Sequence, residues 1–307
     1  MSAEAPRGPR AWVRWARVAV AVALVGVLAW RAGIGQLEPG AIEWGYVLLG
    51  ALLVPLSILV RAYNHALLLN RPERVLSLWD AFVLAVVGVG INLVVPTGAA
   101  DLAKAHWGWR VHGNPEAMVI SSVLDKLTSL TALAAIGILG ALVADTPALV
   151  WVAVALLVVT LLPFVAPRLV PWHLLLRVLA PGAALDAEKI AAVGRPPLLL
   201  LLWVYAVSAG AWVVTYAVMW LCCRAVGALV TPAQVLAFAP LSSLARLVPV
   251  SVAGIGVGEV TMAALLGRVG VPQDLAALAV LLSMALLVLA PGAVGAIIIA
   301  RGRVREA

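Results

Sequence analysis

The sequence predicts an all-α, polytopic membrane protein of about six spans plus two re-entrant helical hairpins. Three observations predict it. First, 64% of the 307 residues are hydrophobic and only 11% are charged. Mean hydropathy is +1.09, a composition foreign to soluble domains of this length. Second, the apolar residues come in runs long enough to cross a bilayer. Third, two stretches within that sequence mix charges with prolines and clustered glycines: NLVVPTGAADLAK over 92–104 and PLSSLARLVPVSVAGIGVGE over 240–259. Proline removes a helical donor and glycine weakens a helix. Broken backbone at membrane depth survives only where protein buries it or water reaches it. Each stretch therefore reads as a half-helix entering, a turn, and a half-helix leaving, with Pro96 and Gly98 in one turn and Pro249, Gly254, Gly256 and Gly258 in the other.

In chain order, residues 1–12 read as a cytoplasmic tail and 13–300 as one transmembrane domain. The first span, about 13–30, starts with basic residues like a signal peptide. It is long, lacks a clear small-residue cleavage site and precedes further spans, so it reads as a signal anchor. A second span follows over 44–69, then the first hairpin over 78–110. The third and fourth spans cover 117–143 and 148–166. Residues 167–196 form the longest polar interval, with a short interfacial helix expected over 171–179. The fifth span covers 198–222, the second hairpin 233–266, the sixth span 275–300, and 301–307 form a second cytoplasmic tail. Residues 41–142 and 197–300 both read span, hairpin, span, entered from opposite sides, which is an inverted repeat.

Charge placement supports this layout. With the N-terminus in the cytoplasm, Arg31, Arg224 and Arg268 fall outside, and Lys126 and Arg246 stay at membrane depth. The remaining Lys and Arg, Arg61 included, fall inside, as positive-inside topology requires. The net charge of +7 thus reflects topology, and no nucleic-acid module is visible. Trp30, Trp44, Trp151 and Trp220 are expected near the outer interface and Trp79 near the inner one.

Charges near the broken segments are the candidates for chemistry: Asp101, Lys104, Asp125, Lys126, Arg246 and Glu259. Inserting an ion at membrane depth costs roughly 2.5–3.5 kcal/mol, so such residues face a cavity or a partner. Ser121, Asp125 and Thr128, with Ser122, Lys126 and Ser129, form a polar stripe at helical spacing. Arg246 is the one Arg expected deep in the apolar interval. Asn64 and Asn92 read as polar partners, either for a hairpin or in helix–helix hydrogen bonds. His65, His106, His112 and His173 read as scattered interfacial residues, and no metal or cofactor site is expected. Cys222 and Cys223 are adjacent, which suits packing more than pairing. The glycines of AGIGVGE lack the βαβ context of a dinucleotide loop.

The sequence resembles the family of the lysylphosphatidylglycerol synthase transmembrane region, the flippase-like domain family, over about residues 15–300. Pro249, Ser251, Gly254, Gly256 and Glu259 match the family's second motif. Asn92, Pro96, Ala100-Asp101 and Lys104 stand where its first motif has Asn, Pro, Gly-Glu and Arg. Asp125-Lys126 replaces a Glu-Arg pair. The signs of charge are kept and the residue types are not. The family's synthase members append a soluble aminoacyl-transfer domain, which this chain is expected to lack.

The resemblance implies a lipid flippase or translocator of the inner membrane in cell-envelope biology. Asn92, Asp101, Lys104, Asp125, Lys126, Arg246 and Glu259 are the expected substrate-binding residues. The half-helix starts after Gly98 and Gly258 are expected to offer N–H groups to a phosphate. Aminoacylated phosphatidylglycerol, a glycolipid and a polyprenyl-phosphate carrier stay open as substrates. A membrane-embedded transferase or accessory subunit and a small-solute transporter are the alternatives. No nucleophile–base constellation marks an enzyme. A homo-oligomer or a lipid-synthesis partner enzyme is left open.

Overall fold

The computed structural model describes residues 11–33, 42–69, 76–93, 103–108, 115–143, 147–165, 197–246 and 255–305. Pro96, Gly98, Asp101, Pro249 and Gly254, and the helix expected over 171–179, lie outside these residues. Every regular element among them is helical. The helices are α1 (Ala11–Arg31), α2 (Trp44–Leu69), α3 (Leu78–Asn92), α4 (103–108), α5 (Pro115–Val143), α6 (Pro147–Val165), α7 (Leu198–Ala225), α8 (Pro232–Ala245), α9 (Val257–Arg268), α10 (Gln273–Met284) and α11 (Ala290–Arg305). A π-helical turn, Ala285–Leu289, joins α10 to α11.

Four helical runs are long and apolar enough to cross a membrane: α2, α5, α7 and the continuous Gln273–Arg301. They match four of the expected spans. The other two, α1 and α6, are helices of 21 and 19 residues. Large apolar side chains point outward along these helices, among them Leu48, Leu52, Leu139, Val159, Leu199 and Ile297. That is the expected surface of a bundle solvated by lipid. Trp30, Trp44, Trp79 and Trp151 are exposed. Trp220 instead packs inward and donates its indole N–H to Val230 O at 3.1 Å.

Helices α3, α8 and α9 are short. With 15, 14 and 12 residues, α3, α8 and α9 extend about 22, 21 and 18 Å at 1.5 Å per residue. None of them spans a hydrocarbon core of about 30 Å alone. Their starts are capped from the sequence. Ser77 Oγ accepts the Asp80 N–H at the head of α3. Thr231 and Gln234 form a reciprocal capping box at the head of α8. Helix α9 starts at Val257, after Gly256, whose φ of +88° suits glycine. That is two residues earlier than the start expected after Gly258.

Packing crosses between the two halves of the chain. The pair α2 and α7 forms the most extensive helix contact, α3 packs on α11, and α8 packs on α5. The last two seams are backbone to backbone. A Cβ added to Gly90 would sit 2.7 Å from Ala296 N, and one added to Gly140 would sit 2.5 Å from Ala237 N. Such close approach drives association where lipid removes the hydrophobic advantage of burying apolar side chains. A core around Phe238, Met262 and Leu266 fills the space among α5, α7, α8, α9 and α10. Cys222 and Cys223 are free and buried in α7, one in each of two packed clusters. Between the seams, the centre of the bundle is polar.

Candidate functional site

Three long helices turn a polar face to the centre. On α2 these residues are Ser57, Arg61, Asn64 and His65, on α5 Ser122, Asp125, Lys126 and Ser129, and on α7 Ser208, Trp212 and Thr215. Within each set the spacing is three or four residues, which places the side chains on one side of a helix. Broken segments complete the wall with Asn92 of α3, Lys104 of α4, Ser243 and Arg246 from the end of α8, and Glu259 of α9.

The cleft has two lobes, of about 160 and 290 Å³. The first is lined by Lys104 and Asp125, the second by Arg246 and Glu259, and both by Arg61, Asn92, Lys126, Ser129 and Trp212. Six of the seven expected substrate-binding residues are thus brought to one cleft: Asn92, Lys104, Asp125, Lys126, Arg246 and Glu259. The seventh, Asp101, lies outside the described residues.

In the first lobe, Asn64 ties three helices together. Its amide donates to Asp125 Oδ1 at 3.1 Å and to Ser208 Oγ at 3.0 Å. The Nδ1 of His65, buried, lies 3.7 Å from Asp125 Oδ2. This corrects the sequence expectation for His65. It stands on the inward face of α2, not at the interface. Asn64 takes the helix–helix alternative, and Ser121 and Ser122 both donate to Met118 O within their own helix.

Arg61 corrects the view that Arg246 is the only Arg inside the bundle. Its Nη2 donates to Thr215 Oγ1 at 3.1 Å, and its guanidinium lies 4.2 Å from the centroid of the Trp212 ring. Trp212 is fixed in turn, because its Nε1 donates to Ser129 O and Oγ at 3.0 and 3.1 Å. Its ring stacks on Tyr216, whose hydroxyl bonds Ser243 Oγ at 3.1 Å. Stacking and a hydroxyl partner hold a guanidinium that an isolated helix would have to expel from the bilayer.

In the second lobe, Arg246 Nη2 donates to Glu259 Oε1 at 2.9 Å. The other carboxylate oxygen accepts the Gly256 N–H at 2.7 Å. The Gly256 amide at the head of α9 is therefore occupied by the chain's own carboxylate. Glycines make room for the cations. A Cβ on Gly258 would lie 2.5 Å from Arg246 Cγ, and one on Gly88 would lie 2.7 Å from Lys104 Cδ.

Four cations, Arg61, Lys104, Lys126 and Arg246, face two carboxylates, Asp125 and Glu259, across the described lining. Such a surface favours an anion with several acceptor oxygens. Among the described residues no group of three or more His, Cys, Asp and Glu converges as metal ligands do.

A family model described as the lysylphosphatidylglycerol synthase TM region matches residues 14–295. No curated protein matches the chain.

Proposed function

Since the chain belongs to the family of the lysylphosphatidylglycerol synthase TM region, we propose that its cleft carries a phosphate-bearing lipid headgroup across the inner membrane while the acyl chains stay in the bilayer. The observation that carries this reading is the cation excess, among the described residues, of a cleft lined by helices long and apolar enough to cross a membrane. Each lobe suits a headgroup and is too small for a whole lipid. Arg61 and Lys126, shared by both lobes, would hold the phosphate as it passes between Lys104 and Arg246. Asp125 and Glu259 would offset part of the positive charge of the empty site.

The same reading takes 41–142 and 197–300 as inverted repeats of one domain. The exchange of partners, α3 on α11 and α8 on α5, supports it. Both termini would be cytoplasmic. Aminoacylated phosphatidylglycerol and a polyprenyl-phosphate carrier have the required phosphate, and a glycolipid has it only in a phosphate-bearing form. In this role the protein is a translocator and leaves its lipid chemically unchanged.

The test is headgroup movement in reconstituted vesicles that contain each lipid class. Movement without chemical change supports the proposal. Formation of a new lipid product points to a transferase, and flux of a soluble solute with no lipid movement points to a solute transporter; either outcome rejects it.

A further inference from the structure

We propose a second lipid site, for an anionic phospholipid, in the groove between α1 and the α9–α10 corner. Its phosphate would lie between Arg31 and Arg268, with an acyl chain along α1 and α9. The groove has a volume of about 620 Å³, larger than either lobe of the cleft, and shares no lining residue with them. Leu24, Val27 and Leu28 form one wall, and Val260, Ala263 and Ala264 the other.

Helices α1 and α9 run side by side. Leu24 abuts Gly256 at the start of α9, and Leu28 packs in one cluster with Val260, Ala263 and Ala277. From there α1 runs on to Arg31 and α9 to Arg268, each in the last turn of its helix. Both arginines, with Gln273 of α10, line the groove and are exposed. Neither guanidinium has an ion-pair partner among the described residues. Two guanidinium groups beyond an apolar trough match one amphiphile: a phosphate to take their N–H donors and a hydrocarbon chain to fill the trough. A free phosphate ion would leave the apolar walls uncovered, and Val27 is 46% exposed.

This site stands independently of the proposed cleft function, although Leu24 connects the two places. It presses on Gly256, whose amide holds Glu259. A lipid in the groove would brace the turn behind the second lobe.

The experiment uses the full chain in phosphatidylcholine vesicles with a trace of phosphatidylglycerol bearing a photoactivatable acyl chain. Adducts are mapped by mass spectrometry after digestion. They are expected within 24–31 and 260–273, about tenfold or more above those from photoactivatable phosphatidylcholine, and to fall by a similar factor in the Arg31→Gln/Arg268→Gln variant. Ala264→Trp fills the trough without changing charge and should remove the same adducts, which keeps the test open if the double variant fails to fold. Equal labelling by the two lipids, or unchanged labelling in both variants, overturns the proposal. Competition by millimolar inorganic phosphate would also overturn it, by making the ligand a free ion. Lys126→Gln, in the cleft, should leave groove labelling in place, so failure of the cleft reading and failure of this one are separable.

Discussion

Arg246 and Glu259 are joined at 2.9 Å across the break between α8 and α9, and the Glu259 side chain is only 2% exposed against 28% for Arg246. The carboxylate depends on the cation more than the cation depends on it, because the cation also faces the cleft. Removing either partner therefore has unequal effects.

Arg246→Ala should destabilise the fold, by about 2 kcal/mol. That is below the roughly 3–5 kcal/mol for breaking a fully buried pair, since water reaches this one from the cleft. Glu259→Gln should cost about 1 kcal/mol, because the amide oxygen can still accept the Gly256 N–H. Thermal unfolding in detergent checks both. The Arg246→Ala/Glu259→Gln double variant should lose less stability than the sum of the singles.

Glycine 258 should tolerate a methyl group less well than glycine 88. Gly258→Ala presses on the Arg246 stem and on Ser242 O, which is backbone, and should cost about 2 kcal/mol. Gly88→Ala meets only the flexible Lys104 stem and should cost less than about 1 kcal/mol. Melting temperatures of the two variants give the order directly.

Asn64→Ala removes the two hydrogen bonds that this side chain makes to α5 and α7 in the first lobe. At roughly 0.6 kcal/mol per interhelical hydrogen bond in a membrane, the loss should be about 1 kcal/mol. Unfolding measurements on Asn64→Ala and on Ser208→Ala should show the first to be the larger.

Arg61→Lys keeps the charge and gives up the planar group that lies over Trp212. If the cleft carries a phosphate, translocation should fall about tenfold with little change in melting temperature, because the ammonium neither stacks as well nor offers a fork of donors. Vesicle translocation by wild type and Arg61→Lys, with Trp212→Phe as a companion that keeps the ring and loses its N–H, measures this.

Much of the fold was legible because its causes are local. The expected second span, 44–69, coincides with α2, and the fifth, 198–222, ends three residues short of the end of α7. Of the residues from which the two breaks are read, Gly256 and Gly258 are described and stand at the head of α9, whereas Pro96, Gly98, Pro249 and Gly254 lie outside the described residues. Five of the six charges named beside the broken stretches, all but Asp101, which lies outside the described residues, converge on one cleft. Arg61 and His65 escaped because they lie near the end of a long span, where a basic side chain is equally able to reach the headgroups. Only the partners across the bundle, Thr215, Trp212 and Asp125, reveal that they turn inward. A periodicity check was the available signal: Ser57, Arg61 and Asn64 or His65 share one face of α2. The π-helical turn at Ala285–Leu289 left no mark in composition, because Leu and Val suit either winding.

The glycine seams have a mechanical consequence. Where Gly90 meets Gly295 and Ala296, and Gly140 meets Leu236 and Ala237, main chain touches main chain with no layer of side chains between. Rotamer changes can let two packed helices slide, but a bare seam has no rotamers to change. Helices α3 and α8 are therefore each coupled as a rigid lever to a helix from the other half of the chain. Pulling on α3 moves α11, and pulling on α8 moves α5, so neither half of the bundle can be displaced without the other being carried along.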